Sequence, residues 1–117
     1  MDLDKYSFHD ALLLEVKENP REQKLDFLID FPVDWNNNHF EKRILRFKDV
    51  VLYSIDEIPF NGQQTITNIL NKGTVKRTIG SGRNQIEIIR QRIEIQTNAG
   101  NRTIEFSDCD FIEQNEK

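Results

Sequence analysis

The chain has a single cysteine among 117 residues, Cys109, so no disulfide can form within it. A secreted domain of this size more often staples itself with paired cysteines, so the expected compartment is reducing and the expected localisation cytoplasmic. No apolar run approaches the length of a membrane-spanning helix. The opening Met1-Asp2-Leu3-Asp4 is acidic where a signal peptide carries basic residues. With three prolines and five glycines, the chain has few breakers and no low-complexity tract. Neither fraying end, Met1 to Lys5 or Gln114 to Lys117, has much to bury.

What is abundant is charge and β-forming side chains. Charged residues make up 31 % and apolar ones 37 %, with eight Phe and many Ile, a content that argues against disorder and for one domain over residues 1–117. The net charge of −4 is unevenly spread: residues 1–41 carry −6, 42–57 carry +1, 58–102 carry +5 and 103–117 carry −4. Acidic ends therefore flank a basic middle.

Alternation of apolar and polar residues is the main pattern. Leu12, Leu14 and Val16 read as one face of a first strand, which Asn19-Pro20 breaks. Leu25, Phe27, Ile29 and Phe31 alternate with Asp26, Leu28 and Asp30 as a half-buried strand that Pro32 is expected to end. Asp34-Trp35-Asn36-Asn37-Asn38-His39 reads as a long turn, and Arg43 to Tyr53 as a strand bent at Lys48-Asp49. Residues 63–72 are ambiguous. Ile66, Ile69 and Leu70 have helical spacing with Gly73 as the stop, while Thr65-Ile66-Thr67 is a strand signature; the spacing favours one short helix. Gly80-Ser81-Gly82 turns between Thr74–Ile79 and Gln85–Thr97. Asn98 to Asn101 then joins Ile93–Thr97 to Thr103–Phe106 as a hairpin, and Cys109 and Phe111 extend the last alternation. The expected fold is mainly β, an antiparallel sandwich or curled sheet of six to eight short strands, with that one short helix.

Candidate chemistry is thin. His9 adjoins Asp10, but no further His, Cys or Asp recurs at ligand spacing, so no metal is expected. His39 lies in the Asn-rich turn. Cys109 sits between Asp108 and Asp110, whose charges oppose thiolate formation. Gly80-Ser81-Gly82-Arg83 lacks the Lys-Ser or Lys-Thr and the helix that a phosphate cradle requires. Nothing sets two carboxylates across a cleft. The expectation is no enzyme and no cofactor.

Binding is the remaining class. Lys72, Lys76, Arg77, Arg83, Arg90 and Arg92 fall within twenty-one residues with only Glu87 among them, the pattern of a phosphate-binding patch. The stretch has no aromatic on which bases could stack, which makes nucleic acid the lesser reading. A small-molecule cavity between two sheets is a further alternative. Trp35, among asparagines, either anchors a partner or folds back over the core end.

Three stretches, Phe8-His9-Asp10-Ala11, Leu45-Arg46-Phe47-Lys48-Asp49-Val50 and Ile104-Glu105-Phe106-Ser107-Asp108-Cys109, together resemble the immunity proteins of polymorphic toxin systems. These are small bacterial proteins, one family of which opens on an aromatic-His-Asp stretch. Phe8 stands where that family usually has Trp. The resemblance implies a non-catalytic, protein-binding chain that neutralises a toxin partner by occluding its site. Asp26, Asp30, Trp35 and Asp108 are the candidate contacts, because acidic groups suit a basic toxin.

Overall fold

The computed structural model describes Leu3, residues 6–34 and residues 36–113. Trp35 lies outside the described residues, as do Met1, Asp2, Asp4, Lys5 and Gln114 to Lys117 of the ends expected to fray, whereas Leu3 is partly buried against the core. Eight strands follow in order: β1 (Leu12–Asn19), β2 (Lys24–Asp34), β3 (His39–Lys48), β4 (Leu52–Glu57), β5 (Ile66–Ile79), β6 (Ile86–Thr97), β7 (Gly100–Phe106) and β8 (Asp108–Glu113). They form two four-stranded antiparallel sheets, ordered β1-β2-β3-β8 and β4-β7-β6-β5, so the mainly β, two-sheet expectation holds.

The chain changes sheet at two corners that bond to each other. The first is at Lys48-Asp49, inside the run Arg43 to Tyr53 expected to be one bent strand. Asp49 adopts a left-handed φ of 54°, and the run divides into β3 and β4, which belong to different sheets. Ser107 makes the second crossing, from β7 to β8. Its N–H donates to Lys48 O at 3.0 Å and its hydroxyl lies 2.6 Å from Asp49 Oδ2. At another corner Leu13 N donates to Gln64 O and Ile66 N to Ala11 O, tying the start of β1 to the start of β5.

Between the sheets the inward residues of both faces interdigitate. Leu25, Phe27, Ile29, Leu45, Phe47 and Cys109 from one sheet meet Ile66, Ile93, Ile95, Ile104 and Phe106 from the other, all buried. Phe47 and Phe106 meet edge-on across the sheets at 4.9 Å between centroids. Aromatic pairs of this kind add about 0.5–1.5 kcal/mol to the area they bury. Tyr6, Phe8, Phe31 and Phe111 form a second aromatic cluster. Side chains of both sheets pack against one another through this core, and a groove of about 230 Å³ lies between the β1–β2 turn and Val50–Tyr53.

Three local expectations fail, two of them through a bulge. Residues 63–72 form no helix: β5 begins at Ile66 and pairs with β6 through Ile69↔Ile95 and Asn71↔Ile93. An irregularity between Ile66 and Asn68 inserts one residue, so two inward isoleucines stand three apart and imitate helical spacing. Gly73, read as a helix stop, sits at φ 88° in a second irregularity between Asn71 and Thr74. In β1 a bulge between Leu13 and Glu15 reverses the inward parity, so Leu13 is buried while Leu14 faces out. Pro32 does not end β2; the strand runs on to Asp34. Beyond Asp30 β1 no longer flanks it, so a residue lacking an N–H is tolerated there.

The β5–β6 hairpin outruns its neighbour. β7 pairs with β6 only from Gln91 to Thr97, so Val75–Arg90 continues as a two-stranded ribbon. Its tip carries outward Ile79, Ile86 and Ile89, and the molecule extends 59 × 33 × 25 Å. No described helix is long and apolar enough to cross a membrane.

Candidate functional site

The outer face of the β1-β2-β3-β8 sheet is assembled by register. Leu25, Phe27 and Ile29 point inward, so Asp26, Leu28 and Asp30 point out, and cross-strand partners share a face. The pairing sets Glu15, Leu28, Ile44 and Ile112 in one row across four strands, and Lys17, Asp26, Arg46 and Asp110 in the next. Asp30 opposes Lys42 on one side of these rows, and Lys48 opposes Asp108 on the other. The result is an apolar stripe of Leu28, Ile44 and Ile112, all partly exposed, between two charged rows.

Of the four partner-contact candidates, Asp26, Asp30 and Asp108 therefore lie on one face, far apart as they are in sequence. Of these, Asp26 holds a cation, and the neighbouring Asp110 holds another. Arg46 grips Asp26 with two hydrogen bonds of 2.9 Å, Nε to Oδ1 and Nη2 to Oδ2, and this raises the guanidinium's already high pKa. Lys48 Nζ lies 2.6 Å from Asp110 Oδ2, and that bond raises the ammonium pKa in turn. Asp108 accepts from the Cys109 N–H at 2.9 Å, which lowers its carboxyl pKa. Alternating charge, not a single acidic field, borders the stripe.

The basic middle is interleaved with carboxylates that sequence distance concealed. Arg77 and Arg92 both converge on Glu105, a fully buried side chain on the outer face of the β4-β7-β6-β5 sheet. Arg77 donates at 2.6 and 2.8 Å, and Arg92 Nε at 2.9 Å. The hydrogen bond from Arg77, more than offsetting burial, together with that from Arg92, holds Glu105 down at about 2. Lys72 faces Glu94 at 3.6 Å and Lys76 faces Glu87 at 3.4 Å. Arg90 donates to the carbonyl of Asp49, and Arg83 stands in an exposed 3-10 turn, Gly82–Asn84. Four of the six candidate phosphate ligands thus already hold a carboxylate.

The remaining chemistry is equally occupied. His9 and His39 are exposed, beside Asp10 at 3.2 Å and Glu41 at 3.0 Å. Cys109 is packed in the core, and burial above all pushes its thiol up to about 12, with Asp110 and Asp108 also raising it. Among the described residues no three of His, Cys, Asp and Glu gather as metal ligands.

Sequence reasoning also missed a nearly buried ion pair. Arg102 donates to Glu57 at 2.6 and 3.0 Å and to the Tyr53 hydroxyl at 2.7 Å, with Gln64 at 3.2 Å closing the group. Both charged side chains are nearly buried, and only the β4–β7 register brings them together. No family model, curated protein or solved structure matches the chain.

Proposed function

We propose that the chain is a non-catalytic module that binds another protein through the outer face of the β1-β2-β3-β8 sheet. The observation that carries this is the row Leu28–Ile44–Ile112, apolar and partly exposed where a one-sided sheet carries polar residues. An apolar centre with a charged border is the anatomy of a protein interface. Neutralisation of a toxin-like partner by occlusion is the specific form we favour. That form rests on the resemblance to immunity proteins, two of whose three stretches lie side by side in the fold: Phe47 pairs with Cys109, and Ser107 bonds Lys48.

Because Asp26 and Asp110 are already paired, the apolar row supplies most of the affinity and long-range charge supplies encounter rate. The test is capture of the partner from native lysate by tagged wild type and by Ile44→Lys, at low and high salt. The reading expects one stoichiometric partner, weakened but not abolished by salt, and lost with Ile44→Lys. Equal capture by both proteins, or capture of nucleic acid alone, would sink it.

A further inference from the structure

One edge strand of the second sheet, β4, and the segment after it carry apolar residues that are unusually exposed. Ile55 is 54 % exposed, Ile58 69 % and Phe60 37 %. β4 has β7 on one side only. Ile58 N donates to Ala99 O, which puts the even-numbered backbone groups toward β7 and leaves those of Tyr53, Ile55 and Glu57 on the open edge. An open edge with apolar side chains is a template for another strand. Beside its first residues lies a groove of about 230 Å³, walled by Val50–Tyr53 on one side and Glu18–Pro20 and Gln23–Leu25 of the β1–β2 turn on the other.

We propose that this edge binds a second copy of the same chain, β4 against β4 antiparallel, about a two-fold axis at Ile55. The sequence Leu52-Tyr53-Ser54-Ile55-Asp56-Glu57-Ile58 is self-complementary in that register. Ile55 meets Ile55 of the second copy, and Leu52 meets its Ile58. Asp56 falls opposite Ser54 and Glu57 opposite Tyr53, so no carboxylate faces another. Moving the axis to Asp56 or Glu57 sets like charges face to face, which destabilises a strand pair. The chosen register also carries Ile58, Pro59 and Phe60 of each copy alongside Leu52, Val51 and Val50 of the other, where the groove lies. Pro59, which has no N–H, ends the new ladder. Both copies use the same patch, the isologous arrangement of a closed dimer, and the two sheets join into one of eight strands.

The test is light scattering on the full chain across concentration, with Ile55→Cys as a cross-linking variant. A hydrogen-bonded pair at the axis holds its Cα atoms about 5.5 Å apart, within disulfide reach. The native Cys109 is buried and does not compete. We expect a dimer, rapid oxidation of Ile55→Cys to a linked pair, and slow oxidation of Ile86→Cys at the hairpin tip. Ile58→Lys should weaken association by roughly a hundredfold, since two buried isoleucines are lost per dimer. Ser54→Lys should tighten it by setting each introduced lysine against Asp56 of the other copy. A chain that stays monomeric at its solubility limit, or Ile55→Cys oxidising no faster than Ile86→Cys, overturns the proposal. Either result leaves the other sheet's partner face untouched.

Discussion

Replacing Glu105 by Gln removes one negative charge from beneath two guanidinium groups and alters little else. Glu105 has no exposed surface, while the Arg77 and Arg92 side chains above it are 40 % and 38 % exposed. Its carboxyl is held at about 2 against an ordinary 4.5. In isolation that gap corresponds to roughly 3 kcal/mol of stability at neutral pH. Water screens the half-exposed arginines, so about 1–2 kcal/mol is the realistic loss on Glu105→Gln. For a domain of this size that lowers the melting temperature by about 3–10 °C. The pH dependence is the sharper signature. A depressed carboxyl stabilises the fold fully above its unfolded pKa and loses that contribution as pH falls through its folded pKa. The difference between wild type and Glu105→Gln should therefore be full at pH 7, decline below 4.5 and vanish near 2. Urea unfolding followed by circular dichroism at a series of pH values measures it. Equal stability at pH 7, or a difference that persists unchanged to the acid limit, would refute the reasoning.

Three further outcomes follow from packing and burial. Gly100→Ala should cost ~2–4 kcal/mol in the same urea assay, because its φ is 146° and a Cβ there would lie 2.3 Å from Asp56 O. Arg102→Met should destabilise by about 2–4 kcal/mol by leaving Glu57 buried without its partner, and Arg102→Met with Glu57→Gln should recover part of that loss. Cys109 should resist a thiol reagent in the native protein at pH 8 and react at once in urea, since burial holds its thiol up to about 12.

Much of this fold is legible in the chain because strand alternation survives wherever the ladder is regular. β2 reads Leu25, Phe27 and Ile29 inward without a break, and a hairpin joins β6 to β7 as expected, though its turn is only Asn98-Ala99 and Gly100 and Asn101 already belong to β7. The failures cluster at bulges. One inserted residue near Thr67 turns a period of two into an apparent helical spacing, and one at Leu14 reverses which leucine is buried. No local signal marks either insertion, because each is set by the partner strand. The candidate site divides in the same way. Asp26, Asp30 and Asp108 are legible as outward acids, and register places them on one face. Their counter-charges are not legible: Arg46 lies twenty residues from Asp26, and Glu105 lies twenty-eight from Arg77. A basic run in sequence became a set of ion pairs because long-range pairing brought β7 and β6 carboxylates beneath it. The apolar stripe escaped notice because Leu28, Ile44 and Ile112 each look like an ordinary strand residue, and only the sheet lines them up.

The most direct test of the central claim is side-by-side capture of a partner by wild type and Ile44→Lys, with the melting temperature of each recorded. The account predicts a single stoichiometric protein retained by wild type and lost by the variant, at closely similar melting temperatures. The same protein held equally by both, or none held by wild type, would contradict it.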